Sequence, residues 1–276
     1  MEYSIFRNTM VDMTYLQVEE AVSKGACVLL PVSVVEEHGP HLCMGTDIYL
    51  TQTVAEKIQK QLRSEHCEVL IAPPFYWGVN SITNGFTGSF EIKTETMRMV
   101  LLEIIQNLRK WGFKNIFLLN FHGDFVHMKT IIEVVENATK EGIKAYFVNS
   151  KNVFSQLGYT ESKDFLITVD LCQEEIMLEE KYLDIHAGAV ETSWMLHSYR
   201  DLVDVEEAKK LEPTKLGLRE LVSWTHGGDE AKNLTPLGYL GNPANMNVDK
   251  MEGIENIIIH AYAEAIMGAL KYQNLE

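Results

Sequence analysis

The sequence predicts an α/β fold: a three-layer αβα sandwich around a mostly parallel central sheet. Three observations support this. Short apolar runs bounded by turn residues recur along the chain, longer stretches between them carry apolar residues at helical spacing, and the two kinds of segment alternate. Such alternation is what parallel strands joined by crossover helices produce. At 276 residues the chain suits one large core, so a single domain over residues 1–276 is expected.

The elements follow in order. Thr14 with Gln17 has the pattern of a capping box, and Leu16, Val18, Ala21 and Val22 lead to Gly25, a glycine stop, which together predict a first helix. Residues 27–32 are apolar enough for a buried parallel strand. A helix is expected over residues 48–62, with Asp47 at its start, where a helix N-terminus favours a carboxylate. Residues 69–72 form a short strand stopped by Pro73 and Pro74. The loop of residues 75–89 is rich in Gly, Asn, Thr and aromatics, and a connection that long is expected to be functional. A helix over 94–111 ends at Gly112, and a strand over 115–120 precedes Phe121-His122-Gly123-Asp124. A helix over 127–141, a strand over 143–149 and a last helix over 254–272 complete the pattern, with no internal repeat or low-complexity tract.

Composition removes several function classes. A net charge of −15 without a Lys/Arg stripe argues against nucleic-acid binding, because counterion release from phosphates has no source. No apolar run approaches the roughly 20 residues a bilayer requires, so no membrane partner is expected. Cys27, Cys43, Cys67 and Cys172 show no paired spacing, and the N-terminus lacks a secretion pattern, so a soluble cytoplasmic protein is expected. The cysteines read as core or incidental residues, although Cys43 lies among potential ligands and is open to oxidation.

Chemistry concentrates in three segments: Glu36 to Asp47, His122 to Asp124, and Asp184 to Ser193. The first two follow predicted strands and should open on the same sheet edge, where open α/β sheets bind ligands. Glu36 and His38 are two apart, so an extended chain points both to one side. Gathering Glu36, Asp47, Asp124 and Glu191 without cations would force protonation, a cost that divalent metal removes. Mixed His and carboxylate ligation suits zinc or manganese, and one shared carboxylate can bridge two ions. The expected cofactor is therefore a pair of divalent ions, zinc and/or manganese, that activate water and polarise a carbonyl, with His186 as the proton shuttle.

Other residues have competing roles. A lone Glu-x-His is common in loops, and the metal reading rests on the three segments together. His41 is equally a partner of the ligands or a packed loop residue, and Asp184 either orients His186 or caps a helix, capping being favoured. Phe75, Tyr76, Trp77 and Phe86 are better core residues than pocket walls. His66, His197, His226 and His260 read as surface or packing residues, and His127 as a weak partner of His122.

Glu36-Glu37-His38-Gly39-Pro40-His41-Leu42 followed by Gly45-Thr46-Asp47 resembles the signature of the creatininase (creatinine amidohydrolase) family. Asn120-Phe121-His122-Gly123, then His186-Ala187-Gly188 with Glu191-Thr192-Ser193, resemble that family's other motifs in the right order. Weaker likenesses at Phe86-Thr87-Gly88-Ser89 and Leu240-Gly241-Asn242-Pro243 extend it from about residue 10 to about residue 270. The resemblance implies a three-layer αβα homo-oligomer, hexamers included, with a two-metal centre that hydrolyses amide bonds, often cyclic ones. It also implies Glu36, His38, Asp47 and His122 as metal ligands, with Asp47 the bridge. The remaining ligand is Asp124, matching an acid that binds metal in creatininase itself, or Glu191, the substitute in relatives with glycine at the Asp124 position. His186 matches the family's proton-transferring histidine, and Glu191 stands with it as a catalytic candidate.

Departures bear on the substrate. Phe121 stands where Gly or Tyr is usual, Phe125 where Asn is frequent, and Thr87 where Pro is usual. Tyr182, Leu183 and Ile185 surround the place of creatininase's tryptophan-bearing gate. Phe121, Tyr182, Asp184 and Ser81 are thus the candidate substrate contacts, and creatinine does not carry over as the expected substrate.

The leading expectation is hydrolysis of a small polar cyclic amide or related C–N bond. A second is ring-opening of an oxidised cyclitol by C–C hydrolysis, as in family members that act on an oxidised inositol. The polar Asn80, Ser81, Thr83 and Asn84 would suit such a polyol. A third, a non-catalytic metal- or ligand-binding protein, is opposed by the intact His186 and acid set.

Overall fold

A computed structural model describes residues 3–172 and 175–273. Five strands form one parallel sheet: β1 (Cys27–Pro31), β2 (Val69–Ile71), β3 (Ile116–Leu119), β4 (Ala145–Ser150) and β5 (Leu166–Val169), in the order β2-β1-β3-β4-β5. The helices are α1 (Tyr15–Ser23), α2 (Thr46–Ser64), α3 (Thr94–Trp111), α4 (Phe125–Lys140), α5 (Lys151–Gln156), α6 (Ala189–Ser198), α7 (Val205–Ala208), α8 (Leu218–Trp224), α9 (Gly228–Leu234) and α10 (Val248–Gln273).

Alternation along the strands builds the layers. Cys27, Leu29, Phe117, Leu119 and Val148 face the side covered by α2, α6 and α10, where Val54, Ile58, Met195 and Ile258 meet them. Val28, Leu30, Ile116, Leu118 and Phe147 face α1, α3 and α4 through Ala21, Leu101, Ile105 and Ile131. Both faces are apolar because both are covered, which is why these strands read as continuous hydrophobic runs. The three-layer αβα sandwich is therefore as the sequence predicts.

Local signals also acted as expected. Thr14 and Gln17 form the capping box of α1, and Gly112 ends α3 in the left-handed conformation, with φ of 110°. Several elements differ: α5 to α9 lie in a stretch for which no helical range was expected, and β5 and α10 differ for local reasons. β5 was not foreseen, because it has four residues and only Val169 of them is buried, too little for a periodic signal. α10 begins six residues before the expected start, since its buried stripe runs through Met251 and Gly253 is tolerated inside it.

The sheet order places the site. The strand order builds outward to either side of the β1–β3 pair, β2 beside β1 and β4 then β5 beyond β3, and the crevice beyond their carboxyl ends is the topological switch point where such sheets bind ligands. The chain leaving β1 carries Glu36 and His38, and the chain leaving β3 carries His122.

Candidate metal centre

Three distant segments meet at this crevice. After β1 the backbone turns so that Glu36, Glu37 and His38 are all buried. His38 Nδ1 lies 3.2 Å from the Glu36 carbonyl oxygen, an acceptor, so Nδ1 carries hydrogen and Nε2 points inward. Asp47 sits in the first turn of α2, buried, where the helix N-terminus favours its negative charge. Its Oδ1 is 3.2 Å from His38 Nε2, and its Oδ2 is 3.0 Å from His122 Nδ1. Glu36 Oε1 is 2.9 Å from the same His122 nitrogen, while its Oε2 accepts the Thr83 hydroxyl at 2.5 Å. Asn120 clamps the His122 turn, donating to the His122 carbonyl at 2.8 Å and accepting its N–H at 3.2 Å.

The third segment precedes α6. Asp184 accepts Ala189 N–H at 2.7 Å and Val190 N–H at 2.9 Å, one on each oxygen, and so caps the helix. A Cβ at Gly188 would fall 1.7 Å from Asp184 Oδ1, so only glycine admits this cap. Ala187 adopts φ of +50°, unusual for a residue with a side chain, and its N–H donates to Glu191 Oε2 at 2.6 Å. Glu191 Oε2 is 3.9 Å from His38 Nε2. His186 Nε2 lies 2.8 Å from the Glu37 carbonyl, which fixes Nε2 as hydrogen-bearing, and its Nδ1 lies 3.9 Å from Glu36 Oε1.

Two donor triads with the spacing of metal sites result: Glu36, Asp47 and His122, and His38, Asp47 and Glu191, with donor atoms in each within 4.8 Å of one another. A third set, Glu36, His38 and His186, overlaps them. Asp47 Oδ2 and both His122 ring nitrogens are buried with no hydrogen-bonded partner in suitable geometry. Buried polar atoms left so are costly, and a cation among them removes the cost. The residues therefore fit divalent metal.

Charge coupling follows. Burial lowers the pKa of His38 and His122, but Asp47 overrides it for His38 and Glu36 with Asp47 for His122, so both are raised. Burial opposes ionisation of Asp47 too, yet the two imidazoles hold it well below the usual carboxylate range. His186, despite burial, is raised by Glu36 and Glu37 to about 10. Without cations, protons on these rings balance the acids.

Asp124 stands apart. Its Oδ1 accepts Val126 and His127 N–H groups at 2.7 and 3.0 Å as the cap of α4, and its Oδ2 accepts both the backbone N–H and hydroxyl of Ser81 at 2.6 Å. It lines the cavity but belongs to none of the triads. The cavity, about 230 Å³, is also lined by Phe121, Ile82, Thr83, Ile185 and Trp224. Among the candidate substrate contacts Phe121 is in place, edge-on to Trp194 at 5.5 Å. Ser81 is held by Asp124 and Asp184 by the α6 cap, while Tyr182 lies under the Lys181 ammonium; none of the three lines the cavity.

Two partners, Trp224 and Glu37, went unread in the sequence, whereas His41 and His127 were among the expected candidates. Trp224, 5.9 Å from His186 ring to ring, comes from a stretch without a motif. Glu37 accepts Gly39 N–H while holding His186. His41 is bonded to Thr192 at 2.8 Å, beside Glu191, and burial lowers its pKa to about 4. His127 packs edge-on against His122 at 5.0 Å, and burial keeps it neutral. Phe75 is core, whereas Trp77 is 44% exposed against Tyr76 and Phe90.

Known proteins place this arrangement. The Creatininase family profile, described as creatinine amidohydrolase, matches residues 11–266. Creatinine amidohydrolase of Pseudomonas putida is 26% identical over 272 residues, covering 92% of this chain and 94% of that one. 3-Dehydro-scyllo-inosose hydrolase of Thermotoga maritima is 27% identical over 263 residues, covering 89% and 78%. A solved structure titled "Creatininase Mn" superposes with a TM-score of 0.71 at 23% identity, covering 94% of this chain and 97% of that one, a likeness of fold. With the profile spanning nearly the whole sequence, the chain belongs to the creatininase family and is a hydrolase.

Proposed function

We propose that one domain spanning residues 1–276 is a two-metal amidohydrolase that cleaves a cyclic amide or related C–N bond in a small polar substrate. The observation that supports this most is the position of Asp47, whose two oxygens face His38 and His122 and which both triads share. Glu36, Asp47 and His122 would hold one cation, and His38, Asp47 and Glu191 the other, with zinc and manganese best suited to such donors. Glu191 takes this place because both Asp124 oxygens are spent on the α4 cap and Ser81. When bound, such cations supply Lewis acidity to a carbonyl and make water nucleophilic near neutral pH.

The chain's own groups supply the rest. His186 is neutral once cations on Glu36 and its neighbours offset the charge that raises its pKa. Its Nδ1, turned inward by the Nε2 bond to Glu37, then takes the proton of the attacking water and returns it to the leaving nitrogen. Phe121, Ile82 and Trp224 exclude bulk water from that transfer. Asp47→Ala should lose both metals and activity together; unchanged metal content, measured by elemental analysis, would reject the shared ligand. His186→Ala should keep its metal and turn over about 10²-fold more slowly or worse.

A second reading is C–C hydrolysis of an oxidised cyclitol. It is supported by the Thermotoga maritima relative and by the Thr83 and Asn80 polar groups behind Glu36. Product analysis of the zinc- or manganese-loaded protein with lactams, N-formyl compounds and ketocyclitols separates the two. Exposed Trp77, Phe90, Leu218 and Val222 support self-association, a hexamer included, which sedimentation velocity would measure. The unpaired Cys27, Cys43, Cys67 and Cys172 support a cytoplasmic setting, and no helix among the described residues is long and apolar enough to cross a membrane.

A further inference from the structure

The cavity above the triads, about 230 Å³, falls short of the roughly 300–1,000 Å³ of ordinary small-molecule sites. A second cavity of about 350 Å³ adjoins it, and Phe121, His122 and Gly123 line both. Gly123 is exposed, has no positive φ, and a Cβ there would meet no atom within 4 Å. Gly123 itself places no side chain between the two cavities, and neither backbone strain nor packing requires the glycine.

The two cavities differ in chemistry. The first is lined by four acids, Glu36, Asp47, Asp124 and Glu191; the second has no Asp, Glu, Lys or Arg among its described lining residues, in a chain that is 23% charged. Its floor continues the carboxyl edge of the sheet past β4 at Asn149 and Ser150. Phe121, Phe125 and Tyr262 supply aromatic surface, and Gln156 of α5 stands at its side with Asn149. Phe125 is 46% exposed at the start of α4, an apolar ring left partly uncovered beside the opening.

We propose that this second cavity is a substrate subsite that accepts an uncharged aromatic group carried beyond the bond cleaved. Rings there meet aromatic edges and faces, and the amides of Asn149 and Gln156 can orient a neutral polar substituent. A charged group would lose hydration with no Asp, Glu, Lys or Arg among the described lining residues to offset it. The inference rests on the hydrolase site proposed above for the bond cleaved, but the binding it describes does not need turnover.

Isothermal titration of the zinc-loaded full chain with benzamide and with acetamide tests it. Benzamide should bind about tenfold or more tightly than acetamide, as burial of one ring predicts. Gln156→Trp, at an exposed helix position, should fill the cavity and weaken benzamide about tenfold, and Phe125→Ala should weaken it severalfold by removing a wall. Equal affinity for the two amides, or benzamide binding untouched by both substitutions, overturns the subsite. Benzamide binding that obeys the prediction in a protein that hydrolyses no amide, formamide or cyclic ketone would leave the subsite standing and reject the amidohydrolase reading instead.

Discussion

Individual carboxylates in this protein do different work according to what their oxygens meet. Asp124 and Asp184 spend their oxygens on helix N-termini, where backbone N–H groups satisfy them. Asp47, also at a helix N-terminus, makes no cap bond and turns both oxygens to imidazoles. The difference gives a paired test. Asp124→Ala should retain metal while costing about 1 kcal/mol or more of stability through the lost α4 cap, read by urea unfolding. Glu191→Gln should keep the fold and lose metal, read by elemental analysis. The reverse result would assign the ligand to Asp124.

Elements hold the site through polar contacts buried between helices. Glu255 of α10 is 1% exposed, accepts Trp194 Nε1–H from α6 at 2.9 Å, and pairs closely with Lys57 of α2. Three helices on one face of the sheet are thus tied at one carboxylate, and Trp194 in turn packs edge-on against Phe121 at the cavity. Glu255→Ala should cost about 1–3 kcal/mol in urea unfolding, because the indole N–H stays buried without a partner. The near-ultraviolet circular dichroism should change with it, since Phe121 loses its fixed neighbour. An unchanged unfolding midpoint would show that the tie is not energetic.

At the scale of the whole molecule, the acidic chain folds around buried imidazoles, and pH should act on it in two directions. His186 is raised to about 10 when folded, against an ordinary value near 6.5, with His38 and His122 also raised. Their stabilisation is fully present below about pH 6.5 and is lost as pH climbs through the raised values, by about 1.4 kcal/mol per unit for one such group. His41, lowered by burial to about 4, and His127, also lowered, act oppositely: their contribution is lost as pH falls below about 6.5. Metal-free protein should therefore melt highest near pH 6.5 and progressively lower toward pH 9. Zinc-loaded protein should be flatter over the alkaline range, because cations replace the protons. Parallel melting curves for the chelated and loaded forms would contradict the assignment of these histidines to the metal centre.

Local order was legible in the sequence because its causes are local. Period-2 and 3.6 patterns, the Thr14–Gln17 cap and Gly112 each act within a few residues, so β1 to β4 and α1 to α4 were readable to within a few positions. The spacing of Glu36, His38 and Asp47 on either side of a helix start marked the chemistry in the same way. Tertiary structure alone decided the rest: that Glu191 and not Asp124 belongs to a donor triad, that Ser81 is held by Asp124, and that Trp224 closes on His186. Each of those depends on which groups from remote segments reach a carboxylate or a ring first. Hydrogen-bond and ion-pair energies fall off within a few ångströms, and sequence separation does not encode that distance.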